Sequence, residues 1–74
     1  MWKNLEKLIG PENCANFMFM GHSADGTGDL CLYKHVVTRR YLNVDRNGNT
    51  YQYNGRQGNY TPIDPSFAIA EVLG

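Results

Sequence analysis

The stretch from residue 39 to residue 54 constrains the fold more than any other part of the chain. Two runs of alternating residues flank the dipeptide Asn47-Gly48, which is a strong signal for a two-residue hairpin loop. With that loop, Val44 faces Tyr51 across the hairpin, and the turn chemistry agrees with the side-chain period. The sequence therefore predicts an antiparallel ribbon in this register.

The register divides the ribbon into two faces. The face expected to pack against helices carries Leu42, Val44, Tyr51 and Tyr53. The opposite face carries the candidate binding residues, which are Arg39, Tyr41, Asn43, Thr50, Gln52 and Asn54. Tyrosine and arginine are enriched at the centres of protein interfaces, where charged residues in general are depleted. This outer face is the predicted binding surface.

Helices are predicted at both ends of the chain. Trp2, Leu5 and the pair Leu8-Ile9 recur at helical spacing, and Gly10-Pro11 is a stop signal, which gives a helix over residues 2–9. Asp64-Pro65 is a helix start, with Asp as N-cap and Pro at the first helical position. The second helix is expected to run from there to the C-terminus.

The strands between the helices are predicted with different clarity. Residues 30–35 form a clear strand, and a turn over residues 55–58 returns the chain as a short edge strand at 59–61, with Tyr60 beside Tyr53. Residues 14–20 are compatible with a strand or with a helix that Pro11 opens. We favour the strand because a hairpin-like, glycine-rich connection follows at residues 24–29. Residues 36–39 contain no turn signal and fit either a bulge or a longer bend.

Together these elements predict one small α+β domain over residues 1–74, with an antiparallel meander of four to five strands and both helices on one face. The predicted core consists of Phe17, Phe19, Leu32, Leu42, Val44, Tyr51, Tyr53, Tyr60, Phe67, Ile69 and Val72, closed by Trp2 and Leu5. A domain of this size with a free sheet edge is also a candidate for self-association as a homodimer.

The charge distribution suggests a second kind of partner. The formal net charge is zero, but residues 34–60 hold five basic side chains against one acidic one, and all five tyrosines lie between residues 33 and 60. Single-stranded nucleic acids bind to sheets that combine aromatic rings with basic residues. The predicted register counts against this alternative, because it sends Tyr51, Tyr53 and Tyr60 into the core.

The two cysteines and two histidines do not predict a metal centre. Structural zinc sites use closely spaced ligand pairs, and the only close pair is Cys31 and His35, whose Cα atoms would lie about 13 Å apart on a strand. A zinc site built from these two with Cys14 and His22 is therefore not expected. A Cys14–Cys31 disulfide is geometrically feasible, but such thiols normally stay reduced in the cytoplasm.

Catalytic patterns are equally weak. A Cys31–His22 dyad, with Asp25 or Asp29 as the orienting residue, lacks a nucleophile elbow or helix N-terminus that would activate the thiol. Residues 45–49 resemble the start of a calcium loop, but the sixth and twelfth positions do not fit. We expect no catalytic residue, no metal and no cofactor.

The expectation for function is a non-enzymatic protein-interaction module of the adaptor or inhibitor type, binding through the outer face or edge of its sheet. Its expected partner is another protein or a second copy of itself. Single-stranded nucleic acid is the alternative partner. No apolar run approaches the length of a membrane span and no secretory signal is recognisable, so the expected setting is the cytoplasm without a membrane partner.

Overall fold

A computed structural model describes residues 1–25 and 29–74 of the chain. Its elements in order are α1 (Lys3–Ile9), a 3-10 helix (Pro11–Asn16), β1 (Phe17–Ser23), β2 (Leu30–His35), β3 (Tyr41–Val44), β4 (Thr50–Asn54), β5 (Asn59–Ile63) and α2 (Pro65–Leu73). The strands form one antiparallel sheet in the order β1-β2-β3-β4-β5, in which every strand pairs with its sequence neighbours. The predicted α+β meander with a helix at each end is confirmed.

Both predicted helix boundaries are confirmed within a residue. Gly10 ends α1 with a φ of 87°, a conformation that a glycine adopts without strain. At the start of α2 the Asp64 carboxylate accepts hydrogen bonds from the backbone N–H groups of Ser66 and Phe67. These two donors have no partner inside the helix, so the cap satisfies them.

The ambiguous stretch before β1 contains both predicted conformations. Pro11 opens a short 3-10 helix, and the extended backbone begins at Phe17, whose N–H donates to the Cys14 carbonyl oxygen. The preference for a strand is therefore confirmed from Phe17 onward, and the helical alternative is right only for the six residues before it. Part of the glycine-rich connection after β1, residues 26–28, lies outside the described residues.

The connection between β2 and β3 is a tight turn, which neither alternative from the sequence described well. The backbone N–H of Arg39 donates to the His35 carbonyl oxygen, and the backbone N–H of His35 donates to the Arg40 carbonyl oxygen. Arg39 adopts a φ of 67°, the left-handed conformation that closes such turns. This turn lacks the glycine or asparagine that usually marks the position, so no residue type in this segment predicts it.

The β3–β4 register differs from the prediction by one residue. Val44 pairs with Thr50, and Asn43 pairs with Tyr51. The loop has three residues instead of two, since the Asp45 N–H donates to the Asn49 carbonyl and the Gly48 N–H donates to that of Asp45. Asp at the first position and Gly at the fourth fit a type I turn, and Gly48, with a φ of 82°, takes the left-handed position that follows it.

The Asp45 carboxylate explains why the longer loop forms. Its Oδ1 accepts from the backbone N–H groups of Asn47 and Asn49, both at 2.9 Å, and its Oδ2 accepts from the Tyr51 hydroxyl at 3.1 Å. Asp45 has no exposed surface, so these contacts must satisfy a fully buried group. A two-residue loop would remove the Asn49 amide from this position, and the carboxylate therefore selects the three-residue loop.

A shift of one residue moves every β4 side chain to the other face of the sheet. Tyr51 and Tyr53 lie on the same face as Asn43, and Tyr60 follows them because it pairs with Tyr53. Thr50 and its neighbours of the same parity lie on the helix face with Val44. The prediction that Tyr51, Tyr53 and Tyr60 point toward the helices is wrong, and so is the prediction that Thr50 points away from them.

The main core lies between the sheet and the helices. Its buried members are Leu5, Cys14, Phe17, Cys31, Tyr33, Leu42, Val44, Ala68 and Val72, with Trp2, Leu8, Ile9, Phe19, Ile63 and Ile69 partly buried against them. Two further core predictions are wrong, because Phe67 is 59% exposed and Leu32 lies on the outer face beside Asn43. Tyr33, which was not predicted as a core residue, is fully buried.

The sheet is curled, so that its outer face is concave. Asp25, which follows β1, accepts a hydrogen bond from the N–H of Tyr60 in β5 at 3.1 Å, although β1 and β5 are opposite edges of the sheet. Leu30 is completely buried without belonging to the core beneath the helices. None of the helices among the described residues is long and apolar enough to cross a membrane.

Candidate functional site

The concave face holds a cleft of about 420 Å³, a volume in the range of ligand-binding pockets. Its lining residues are Met20, Leu32, Tyr41, Asn43, Tyr51, Gln52, Tyr53, Tyr60, Ile63, Ala68 and Glu71. We call it the tyrosine cleft, because four of the five tyrosines of the chain line it. The lining is mainly apolar and aromatic, with few polar groups, which is the usual composition of a binding pocket.

The cleft exists because β3 and β4 diverge. The two strands pair only at Asn43–Tyr51 and Val44–Thr50. Beyond these pairs Tyr41 of β3 and Tyr53 of β4 have no ladder contact with each other, so space opens between the strands and reaches α2. Neighbouring pairs of strands have four or more paired positions each, so the gap is particular to this point in the sheet.

Asn43 buries an unsatisfied hydrogen-bond acceptor beneath the lining of the cleft. Its side chain is 97% buried, and its Nδ2 donates to the Tyr51 carbonyl at 3.1 Å. This contact fixes the orientation of the amide, because a carbonyl oxygen requires a donor. The other amide atom, Oδ1, is the buried side-chain polar atom without a hydrogen-bond partner among the described residues. Leaving such an acceptor unpaired costs about 1–3 kcal/mol, which a bound donor would recover only by displacing the side chains that cover this atom.

The tyrosine rings form the walls of the cleft. Tyr53 and Tyr60 contact each other edge to face, with ring centroids 5.1 Å apart. Lys34 places its ammonium group 5.8 Å from the centre of the Tyr41 ring, within the range of a cation–π contact. Burial, with smaller contributions from Tyr53 and Asp25, raises the pKa of the Tyr60 phenol. The Tyr60 phenol therefore remains a neutral donor and acceptor at physiological pH.

The predicted binding residues are split by the actual register. Tyr41 and Asn43 lie in the cleft, and Arg39 lies in the turn before β3. Thr50 is buried beneath the helices, where its hydroxyl donates to the Ile63 carbonyl at 2.6 Å. The Asn54 side chain accepts from two backbone N–H groups of the β4–β5 turn, so it stabilises the turn.

Gln52 has an intermediate position. It belongs to the helix-facing parity of β4, yet it is exposed and lines the cleft where β3 and β4 diverge. It was predicted to lie on the outer face with the other binding residues. It lines the cleft because β3 and β4 diverge beside it, although its position in β4 has the helix-facing parity.

Sequence reasoning missed the three tyrosines Tyr51, Tyr53 and Tyr60 as site residues. It assigned them to the core because it took the Asn47-Gly48 dipeptide as the whole loop. The signal that could have corrected it is the spacing of Asp45 and Gly48, which is typical of a type I turn followed by a left-handed residue. No sequence pattern predicts that Asn43 Oδ1 lacks a hydrogen-bond partner.

A second group of reactive side chains lies at the far end of the β1–β2 hairpin. His22 and Cys31 face each other across the hairpin, and His22 Nδ1 lies 3.7 Å from Cys31 Sγ. Asp29 joins them, so that one donor atom from each of the three residues lies within 4.8 Å of the other two. Neither Cys14 nor His35, the other members of the zinc set considered from the sequence, belongs to this group.

Comparison with family models, with curated proteins and with solved structures finds no match to this chain. The functional conclusions below therefore depend on the two sites just described.

Proposed function

We propose that the chain is a non-enzymatic protein-binding module that holds a segment of a partner protein in the tyrosine cleft. The observation that carries the proposal is an aromatic cleft of about 420 Å³, with the unpaired Oδ1 of Asn43 buried beneath its lining. The segment would place an apolar side chain between the tyrosine rings and, by displacing the side chains that cover Asn43, a backbone or side-chain N–H on its Oδ1.

The chemistry of the cleft supports a peptide ligand. Tyrosines offer large contact area at low entropic cost together with a hydroxyl that hydrogen-bonds, which is why they are enriched at binding hot spots. Tyr41 and Tyr53 are both about half exposed, so partner atoms can reach them. Met20 adds a flexible apolar side chain at the rim, a residue type that adapts to different partners.

The face of the sheet is a better candidate than its β5 edge. Tyr60 points its N–H away from β4, but that group is already bound by Asp25. Pro62, two residues later on the same side, has no N–H to offer. An added strand would therefore find neither of these two donors, and strand addition at this edge is disfavoured.

The proposal is tested by selecting short random peptides on the intact protein and measuring their affinity for variants. Tyr53→Ala removes a ring from the cleft, and Phe67→Ala removes an equally exposed ring that does not line it. We expect Phe67→Ala to bind the selected peptides as the unmodified protein does. Tyr53→Ala should weaken them about 30-fold, corresponding to a hot-spot contribution of about 2 kcal/mol.

Asn43→Leu gives a second readout in the same assay, because leucine keeps the volume of the side chain and removes both the unpaired acceptor and the Nδ2 donor to the Tyr51 carbonyl. We expect weaker peptide binding at nearly unchanged stability, since the lost hydrogen bond offsets the removal of the unpaired acceptor. Peptides that bind Tyr53→Ala and Asn43→Leu as well as they bind the unmodified protein would refute the proposal. So would a selection that enriches no sequence.

Single-stranded nucleic acid is the second candidate ligand, and one observation favours it. The actual register puts four tyrosines on the outer face with Lys34 beside Tyr41, whereas the predicted register left few rings there. Binding of an oligonucleotide such as oligo-dT should then weaken steeply as salt is raised, and it should be lost in Tyr53→Ala. Absence of binding at about 50 mM salt would eliminate this candidate.

The proposed setting is the cytoplasm, and a second copy of the chain remains a candidate partner. Both cysteines are free thiols, which suits a reducing compartment. Cell fractionation tests the first statement. For the second, the molar mass measured by light scattering should be twice that of the 8.4 kDa chain if the cleft holds a segment of another copy.

A further inference from the structure

We propose that His22, Asp29 and Cys31 form a binding site for a borderline-soft divalent cation of the zinc class. The site lies at the end of the β1–β2 hairpin and shares no residue with the tyrosine cleft. It is therefore independent of the proposed protein-binding function. The three donors are an imidazole nitrogen, a carboxylate oxygen and a thiol sulfur, the ligand types that Zn²⁺ uses in proteins.

The spacing of two of these donors already matches a tetrahedral metal site. Bonds of about 2.3 Å to sulfur and about 2.1 Å to nitrogen place two tetrahedral ligands about 3.6 Å apart. The distance between His22 Nδ1 and Cys31 Sγ is 3.7 Å. The strand pairing produces this match, because the two residues are directly opposed and point to the same face of the hairpin.

The third ligand requires only a small adjustment. No pair of donor atoms within the group of three is more than 4.8 Å apart, so Asp29 must close by at most about 1.4 Å to reach ideal geometry. Asp29 is half-buried, and a change of side-chain rotamer moves a carboxylate this far. His22 is exposed, so water can complete the coordination as the fourth ligand.

The surrounding residues hold the ligands in place. Asn4 of α1, which is 94% buried, directs its Nδ2 to the backbone carbonyls of Asp29 and Val44, both at 3.0 Å, and to Cys31 Sγ at 3.3 Å, so that its two hydrogens are shared among three acceptors. An amide N–H donated to a sulfur ligand is a typical supporting contact of a metal-bound thiolate. Phe19 packs edge to face on the His22 imidazole, with ring centroids 5.1 Å apart, and so restricts its orientation.

The other cysteine provides a matched control. Cys14 is also buried, but its thiol donates to the Gly10 carbonyl, and Glu6 and Glu12 lie near it instead of a histidine. Burial, and secondarily these two carboxylates, raises the pKa of the Cys14 thiol, which disfavours the thiolate that a metal requires. Cys14→Ser should therefore leave metal binding unchanged.

The test is titration of the intact, reduced protein with Co²⁺, followed by displacement with Zn²⁺. Cobalt reports thiolate ligation through a sulfur-to-metal charge-transfer band and tetrahedral geometry through its visible bands. We expect both signals in the unmodified protein and in Cys14→Ser, and their loss in Cys31→Ser. We expect Zn²⁺ to abolish them by competition and Mg²⁺, a harder cation, to have no effect.

His22→Ala is the second variant, because His22 is exposed and its truncation should leave the fold intact. It should weaken Co²⁺ binding by about 100-fold. Removal of a residue that only supports a ligand costs up to about 100-fold in affinity, and loss of a ligand should cost at least as much. Zn²⁺ should also raise the unfolding temperature of Cys14→Ser but not that of His22→Ala. Absence of the charge-transfer band in the unmodified protein, or its equal loss in Cys14→Ser and Cys31→Ser, would overturn the proposal.

Discussion

Replacing Asp45 by alanine tests the origin of the β3–β4 register. The carboxylate accepts hydrogen bonds from the Asn47 and Asn49 backbone N–H groups, from the Asn49 side-chain amide at 3.3 Å and from the Tyr51 hydroxyl. Asp45→Ala leaves these donors without that partner in a site with no exposed surface. Breaking a buried, charged hydrogen-bond network typically costs about 3–5 kcal/mol.

That loss is large for a domain of this size. A chain of 74 residues is expected to unfold with a total free energy of about 4–11 kcal/mol. The expected effect of Asp45→Ala is therefore loss of about half the stability. With a urea slope of about 1 kcal/mol per molar, the unfolding midpoint should fall by about 3 M or more.

Asp45→Asn is the matched control in the same urea titration. It keeps the shape and the Oδ1 acceptor, and loses the charge and the second acceptor. Its expected cost is about 1–2 kcal/mol. If Asp45→Ala instead lies within about 0.5 kcal/mol of the unmodified protein, as an ordinary surface substitution would, the carboxylate does not determine the loop and the reasoning is refuted.

Three further predictions concern other local features. Gly48→Ala should lower the free energy of unfolding, measured in urea, by about 1–2 kcal/mol, because a φ of 82° strains any residue other than glycine although an added methyl group meets no clash. The control Gly55→Ala should stay within about 0.5 kcal/mol of the unmodified protein. Burial raises the pKa of the Tyr33 phenol, so the unfolded chain loses this proton first and stability should fall as pH rises above about 10, less steeply in Tyr33→Phe. Hydrogen bonds from Ser66 and Phe67 lower the pKa of Asp64, so Asp64→Ala should lower the melting temperature at neutral pH. This difference should begin to shrink as pH falls below about 4 and vanish once pH is below the lowered pKa of the folded protein.

The elements that sequence reasoning predicted well are those fixed by local chemistry. Gly10-Pro11 ends α1, and Asp64-Pro65 begins α2, because caps and proline restrict the backbone at the residue where they occur. The pairing of Tyr53 with Tyr60 across the β4–β5 turn was also correct. Each of these features depends on a few adjacent residues, and no distant contact competes with them.

The candidate site was predicted less well because it depends on which face of the sheet each β4 side chain occupies. The residues of β4 were recognised as strand residues, but a loop longer by one residue reversed their faces. Both loop lengths fit the sequence near Asn47-Gly48. What distinguishes them is the burial of the Asp45 carboxylate and its bond to Tyr51, a contact between side chains that alternation alone does not predict.

The metal-ligating group was missed for a related reason. The zinc set considered from the sequence joined two cysteines with two histidines, and it failed on the distance between Cys31 and His35. The group that forms uses the cross-strand neighbour of Cys31, His22, with Asp29. Asp29 had been considered only as a partner for a catalytic dyad, and the supporting contact from Asn4 comes from a helix whose docking position the sequence does not reveal.

The position of Asn4 has a consequence for the order of folding. Each hairpin of the meander joins strands that are neighbours in sequence, so the sheet forms from local contacts. The partners of the Asn4 amide lie 25 to 40 residues further along the chain, the most distant being the Val44 carbonyl. A helix of seven residues does not persist alone, so α1 should dock only after β2 and β3 have paired. Asn4→Ala, which removes this amide, should accordingly speed unfolding and leave the refolding rate almost unchanged.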